Sequence, residues 1–76
     1  MMKEHQRVVL TASFPSDGLE IGDIGSIVHV HGDGAGYEVE FVTLDGQSSK
    51  VLEVTATELR PVRAGELAHA RPLAQV

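Results

Sequence analysis

The fold is most strongly indicated by residues 22–30, which read Gly22-Asp23-Ile24-Gly25-Ser26-Ile27-Val28-His29-Val30. Two glycines precede a run rich in β-branched residues, which is typical of a strand entered through a tight turn. We expect one glycine to form that turn, and the other to allow a bulge or the close approach of a neighbouring strand. The stretch therefore predicts a strand over residues 24–31.

The loop after this strand sets its pairing with the next one. If Asp33-Gly34-Ala35-Gly36 is the whole loop, Val30 lies across from Val39 and Val28 lies across from Phe41. Every inward residue then meets an apolar partner. This register predicts that Val28 and Val30 point into the core.

A second hairpin follows, and its turn at Asp45-Gly46 is the strongest hairpin signal in the chain. Both central positions of a type I′ turn need positive φ, which this dipeptide tolerates. The turn places Val39 across from Leu52 and Tyr37 across from Val54. The two registers agree on which face of the middle strand is core, as consistent folding signals should.

The remaining elements complete an all-β fold. The breaker cluster at residues 14–18 opens a long first loop, and the apolar Leu19 and Ile21 within it predict that the loop packs over one end of the sheet. Thr55-Ala56-Thr57-Glu58 has the form of a capping box, but Pro61 follows soon after, so we expect a single 3₁₀ turn there. The other predicted strands are residues 7–12, 37–42, a segment after Asp45-Gly46, and an edge strand over 59–62.

Five short strands with a 3₁₀ turn before the last one are typical of a small SH3-like barrel. The predicted organisation is an N-terminal tail over residues 1–6, the barrel over 7–62, and a flexible, alanine-rich C-terminal tail over 63–76. Flexibility is expected of that tail because isolated helices shorter than about 12 residues are marginal in water.

Length, charge and composition narrow the classes of function. The 76 residues suit one domain with a single small core, and the absence of cysteine excludes a disulfide framework or a thiolate zinc site. Eleven acidic residues against six basic ones give a net charge of −5, which disfavours a phosphate backbone as partner. No stretch approaches the roughly 18 apolar residues of a membrane span, and the first residues lack the apolar core of a signal peptide. We therefore expect a cytoplasmic protein that binds neither nucleic acid nor membrane.

Several motifs are spread over the predicted barrel: Leu10-Thr11, Phe14-Pro15, Gly18-Leu19, Gly22-Asp23-Ile24-Gly25, Tyr37-Glu38-Val39-Glu40-Phe41, Asp45-Gly46 and Leu59-Arg60-Pro61-Val62. Together they resemble a family of small bacterial proteins with an SH3-like barrel, known as a domain of unknown function. The resemblance implies the fold and a bacterial, cytoplasmic setting, but brings no activity and no catalytic residues. It also implies that members often occur as short proteins beside other small ones, which hints at work in a pair.

Charged residues on the outer sheet face form the first candidate site. The predicted register pairs His31 with Glu38 and His29 with Glu40, and Glu53 flanks Glu38 from the next strand. Imidazoles beside carboxylates are suitable ligands for zinc or another divalent metal. The competing interpretation is a set of cross-strand charge pairs on a solvated face, because a flat sheet rarely converges its side chains as a tetrahedral site requires. We therefore predict no metal or cofactor.

The same face carries three apolar residues, Ile27, Val42 and Val51. An apolar patch rimmed by charge is typical of a protein contact surface. Other chemistry is poorly supported, because no serine lies in a nucleophile-elbow context and no third glycine or helix follows Gly25 to hold an anion. The three aromatic residues are too few for a base-stacking or proline-binding groove.

The sequence therefore predicts a non-catalytic protein-interaction module, an accessory or antitoxin-like partner of another small protein, or one that pairs with a second copy of itself. A nucleic-acid-associated KOW-type barrel and a metal-binding protein are the alternatives. The residues predicted to form the interaction surface are Ile27, His29, His31, Glu38, Glu40, Val42, Val51 and Glu53.

Overall fold

Five antiparallel strands form one sheet in the computed structural model, which describes residues 1–73. The order across the sheet is β4-β3-β2-β1-β5, and none of the described residues forms an α-helix that could cross a membrane. The strands are β1 (Arg7–Leu10), β2 (Ile24–His31), β3 (Gly36–Val42), β4 (Ser49–Val54) and β5 (Leu59–Pro61).

The sheet is coiled but does not close into a barrel. In the described chain β4 and β5 are edge strands that do not pair with each other. In a flat sheet they would lie about 19 Å apart, at roughly 4.8 Å per strand. Only residues 55–58 connect them, through a turn in which the Glu58 amide donates to the Thr55 carbonyl at 3.0 Å, so the sheet has to curl. The all-β prediction is confirmed, whereas the predicted closure of the barrel is not.

The predicted register of β3 and β4 is confirmed. Val39 lies across from Leu52, and Tyr37 lies across from Val54. The connecting loop is longer than the predicted two-residue turn, since the Thr43 amide closes it by donating to the Ser48 carbonyl at 2.9 Å. Within it only Gly46 has positive φ, at 75°.

The predicted register of β2 and β3 is wrong. The loop begins one residue earlier than expected, at Gly32, so Val30 lies across from Tyr37 rather than Val39. A β-bulge between Ile27 and His29 then exchanges the two faces of the first half of β2. Ile27 consequently lies across from Val39 and is fully buried, while Val28 is 38% exposed.

Both glycines at the entry to β2 have the predicted roles. Gly22 has a φ of 97°, which serves the tight turn. Gly25 lies so close to β3 that an added Cβ would meet the Val39 side chain at 2.6 Å and the Glu40 carbonyl oxygen at 2.8 Å. Only glycine allows β2 and β3 this approach.

The core lies on the inner face of the coiled sheet, and the first loop contributes Leu19 to it. Ile21 of the same loop is exposed, so only one of the two apolar loop residues packs inwards as expected. The one 3₁₀ turn of the described chain is in this loop, at Pro15–Asp17, and not before β5 as predicted. The buried cluster comprises Val8, Leu10, Leu19, Ile27, Tyr37, Val39, Phe41, Val54 and Leu59.

Residues 55–58 nevertheless keep part of the predicted capping box. The Glu58 carboxylate accepts a hydrogen bond from the Thr55 amide at 2.8 Å, as the last residue of that motif does. The segment is a hydrogen-bonded turn because β5 begins at once with Leu59. At the other end of the chain, the His5 amide donates to the Ile27 carbonyl at 2.7 Å, so the predicted N-terminal tail is fastened to β2.

Candidate interaction surface

The outer face of β3 and β4 holds most of the residues predicted to form a contact surface. Glu38 lies across from Glu53, and Glu40 lies across from Val51. Val42 and Val51 are 52% and 56% exposed. We call these five residues the outer patch: two apolar side chains with three carboxylates around them.

Two histidines of β2 border this patch. His31 Nε2 lies 2.9 Å from Glu38 Oε2 and 3.9 Å from Glu53 Oε2. The predicted contact between His31 and Glu38 is therefore present, although it is diagonal, because His31 lies across from Gly36. The predicted flanking of Glu38 by Glu53 is confirmed as well.

The predicted pair of His29 and Glu40 is wrong. The register places His29 across from Glu38, and Glu40 across from Ser26. The His29 ring meets the ring of His31 edge-on, with 4.6 Å between ring centroids, and its Nδ1 lies 3.8 Å from Glu4. His29 thus faces the N-terminal segment rather than the middle of the patch.

The histidines and carboxylates do not converge as metal ligands would. Both carboxylates near His31 approach the same ring nitrogen, where a metal would need to stand between the donors. Within residues 1–73 no group of three or more such side chains is arranged to hold a metal ion. The cluster instead makes this part of the face acidic.

Ile27 was predicted to be part of the contact surface and is not exposed. The bulge turns it into the core and turns Val28 outwards in its place. No signal in the sequence distinguishes these neighbours, because both are β-branched and apolar and the alternation fits either face.

The first part of the C-terminal tail lies beside β5 and β1. The Arg60 guanidinium donates to both carboxylate oxygens of Glu66, at 3.0 and 2.6 Å, and the Arg63 amide donates to Glu66 Oε1 at 2.6 Å. These hydrogen bonds, that of Arg60 foremost, lower the pKa of Glu66 to about 2. Arg60 lies across from Val9 of β1, so the ion pair fastens the tail to the outer face there.

The second part of the tail is held by Arg71 on the first loop. Its Nε donates to Asp23 Oδ1 at 2.9 Å, and its Nη2 donates to Asp23 Oδ2 and to the Gly18 carbonyl, the latter at 3.0 Å. Glu20 Oε2 lies 3.4 Å from Nη1. The hydrogen bonds to Asp23 raise the pKa of Arg71. Sequence reasoning missed this pair, and nothing local could have revealed it because 48 residues separate its members.

A cleft of about 590 Å³ lies between this part of the tail and the sheet. Its sheet side is formed by Ile24, Phe41, Val42 and Leu44, and its tail side by residues 68–73. Leu73 also packs against the core cluster. Glu66, Arg71 and Leu73 of the tail thus contact the domain. The flexibility of the tail stays a prediction, and its residues 74–76 lie outside the described residues.

Residues 4–61 match the model of a family described as Domain of unknown function (DUF4926). The chain belongs to this family. No curated protein and no solved structure gives a significant match. The match ends at the last residue of β5.

The DUF4926 region thus contains the whole sheet, the outer patch and Asp23, but not the tail. Glu66, Arg71 and Leu73, which fasten the tail, all follow the matched residues. The tail contacts are therefore additions of this chain to the part that the family model describes.

Proposed function

We propose that this protein is a non-catalytic, SH3-like interaction module that binds a partner protein with a basic surface through the outer patch. The observation that carries the proposal is the exposure of Val42 and Val51 beside three carboxylates on one sheet face. Exposed apolar side chains rimmed by charge are typical of protein contact surfaces.

The negative charge of the protein favours a partner with a basic surface. The protein carries a net charge of −5, and Glu38, Glu40 and Glu53 concentrate negative charge around the patch. A basic partner would gain in association rate and in specificity from this complementarity. A second copy docking by the same face would bring like charges together, so we favour a different protein over a homodimer.

The biological setting follows from the family resemblance and remains part of the proposal. The resemblance implies a bacterial, cytoplasmic setting beside another small protein, and a small acidic protein can neutralise a basic surface of such a neighbour. An accessory or antitoxin-like role suits this chain. The KOW-type alternative would require a basic stripe that follows phosphates, which the charge on this face opposes.

The decisive experiment compares captured proteins across matched variants. The full chain, Val42→Lys, Val51→Lys and a control, Leu67→Lys, are each used to capture proteins from the native cell. Leu67 lies on the tail and is 94% exposed, so its variant has the same change in charge away from the patch. A partner that is retained by the control and lost with both patch variants supports the proposal. Equal capture by all four chains would refute the patch as the contact surface.

Two further measurements separate the alternatives. Labelled duplex and single-stranded nucleic acids are titrated with the parent protein at several salt concentrations, and tight, salt-sensitive binding would favour the KOW-type function. Elemental analysis of the protein purified from its native cell tests the metal alternative, which stoichiometric zinc or another divalent metal would support.

A further inference from the structure

The acceptors that bind the Arg71 guanidinium are fixed by the family domain itself. The Asp23 carboxylate accepts a hydrogen bond from the Glu20 amide at 2.8 Å. Leu10 of β1 holds the same turn on both sides, since its amide donates to the Asp23 carbonyl at 2.9 Å and its carbonyl accepts from the Gly22 amide at 2.9 Å. The turn is thus anchored to the sheet without any contribution from the tail.

This turn presents acceptors in an arrangement that suits a guanidinium. Two carboxylate oxygens of Asp23 face Nε and Nη2, the Gly18 carbonyl takes a second hydrogen bond from Nη2, and Glu20 adds a further negative charge nearby. Arginine forms such planar, two-pronged contacts with carboxylates, and lysine cannot reproduce them. The turn therefore has the chemistry of an arginine-recognition site.

An apolar site lies next to it. Leu73, two residues after Arg71, packs against the core cluster, and Leu19 and Phe41 line the same cleft. Pro72 lies between Arg71 and Leu73 in the sequence. Its ring fixes its own φ and favours an extended backbone at Arg71. Arginine and leucine are thus presented as two anchors on one extended segment.

We infer that the turn Gly18–Asp23 and the adjoining cleft form a peptide-binding groove, which recognises an arginine followed two residues later by an aliphatic side chain. In this chain Arg71 and Leu73 of the tail occupy the two anchor sites in cis, and tail residues 68–73 form one wall of the cleft. The external occupant is an extended basic segment of a partner protein, because the groove offers carboxylates to the arginine and belongs to an acidic protein. The groove adjoins the outer patch at Val42, which lines the cleft, whereas Val51 and the three glutamates of the patch lie outside it, so Val51 distinguishes the two surfaces.

A free peptide has to compete with the chain's own tail for the two anchor sites. A tethered segment competes at an effective concentration of the order of mM, so a free peptide should bind the wild-type chain weakly. Release of the tail should expose the groove and strengthen that binding.

The test uses full-length chains and a labelled synthetic peptide with the sequence of residues 66–73. The released variant is Arg71→Gln with Leu73→Ser. The matched control is Arg63→Gln with Leu67→Ser, which makes the same types of substitution at tail positions with exposed side chains. We expect the released variant to bind the peptide at least about ten-fold more tightly than the wild type or the control, with NMR shifts at residues 18–23.

Two comparisons identify the anchors. A peptide carrying Arg71→Gln should lose binding to the released chain by about ten-fold or more. Adding Asp23→Asn to the released chain should weaken binding of the unmodified peptide by a similar factor. A dispersed amide spectrum of this variant checks that it is folded. Adding Val51→Lys instead should leave peptide binding unchanged, which separates this groove from the outer patch.

Three results would overturn the inference: equal peptide binding by all chains, indifference to the arginine of the peptide, or unmoved NMR signals of the tail in the released variant. If Asp23→Asn prevents folding, the milder Glu20→Gln replaces it and should weaken binding by a smaller factor. Full binding by that folded variant, with shifts away from residues 18–23, would equally refute the site.

Discussion

The outer face of the sheet has two halves that differ in what lies on them. On the half formed by β1 and β5, Val9 is only 7% exposed although it alternates with the core residues Val8 and Leu10. Arg60 lies across from Val9, and its ion pair holds the tail there. On the half formed by β3 and β4, Val42 and Val51 are both more than half exposed, and of the two only Val42 borders the cleft beside the tail.

The two halves of the outer face differ in their contacts with the tail and not in the type of residue that they carry. Both halves carry β-branched apolar residues on the outer face, yet in one half the chain supplies its own cover from residues that follow the family match. The hollow around Ile24 is lined on its other side by Val62, Glu66 and Ala68. Residues that follow the family match therefore lie against one half of the outer face, and the outer patch on the other half is the surface that we propose for a partner.

The largest expected effect comes from the inner face, which both halves share. Ile27→Ala should lower the free energy of unfolding by about 2–5 kcal/mol, because it leaves a cavity at a fully buried site. Val28→Ala, on the other side of the bulge, should lower it by about 1 kcal/mol or less. Urea denaturation of both variants measures the contrast, and a larger loss for Val28→Ala would show that the bulge is misplaced.

Removal of the tail should take away the contacts that distinguish the half formed by β1 and β5 from the half formed by β3 and β4. Deletion after Arg63 removes the packing of Leu73 against the core cluster and the ion pairs of Glu66 and Arg71, so we expect a loss of about 1–2 kcal/mol, or roughly 4–16 °C in Tm. Leu67→Ala on the same tail should change stability by less than about 0.5 kcal/mol, since that side chain contacts almost nothing. A deletion with an unchanged melting curve would mean that the tail does not cover the face in solution.

The parts of this architecture that sequence could predict are those with local signals. Asp45-Gly46 and the alternation of β3 are sufficient for the register of β3 and β4, and paired glycines before β2 are sufficient for its bounds. All five residues of the outer patch follow from that register. The bulge at Val28 has no such signal, because shifting one residue in an all-apolar run leaves the pattern intact.

The long-range polar contacts could not be predicted from the sequence for another reason. Arg71 and Asp23 are ordinary charged residues in composition, and only the folded chain brings them together. The low helix propensity of the tail predicts flexibility, which stays a prediction, and it carries no information about side-chain contacts such as those of Arg71 and Leu73 with the domain. The family match likewise ends before these residues.

Acid should weaken the ion pair between Arg60 and Glu66, which holds the first part of the tail. The pKa of Glu66 is lowered from its ordinary 4.5 to about 2 in the folded protein, so this contribution to stability is complete above about pH 4.5 and is lost as the pH falls toward 2. We expect the protection of the amides of residues 63–68 against exchange, relative to an unfolded chain at the same pH, to fall over that range before the core opens. Glu66→Gln should remove the pH dependence, and an identical profile in that variant would assign it to another group.

The smallest effect on stability is expected on the half formed by β3 and β4. Val51 is more than half exposed and lies across from Glu40, so Val51→Lys removes little buried area and creates a cross-strand pair of opposite charge. Such a pair contributes about 0.2–1 kcal/mol, which should offset the lost contacts and leave the free energy of unfolding within about 0.5 kcal/mol of the wild type. Leu52→Lys, one residue along β4, is the matched control: Leu52 is partly buried against the core cluster, so the same substitution removes buried apolar area there and should cost about 1–3 kcal/mol. Denaturation is measured at two protein concentrations, because a loss of stability by Val51→Lys that grows with concentration would mean that a second copy already covers the half formed by β3 and β4. A loss of more than about 1 kcal/mol at both concentrations would mean that the chain itself covers Val51, and the two halves would then not differ as the structure has them.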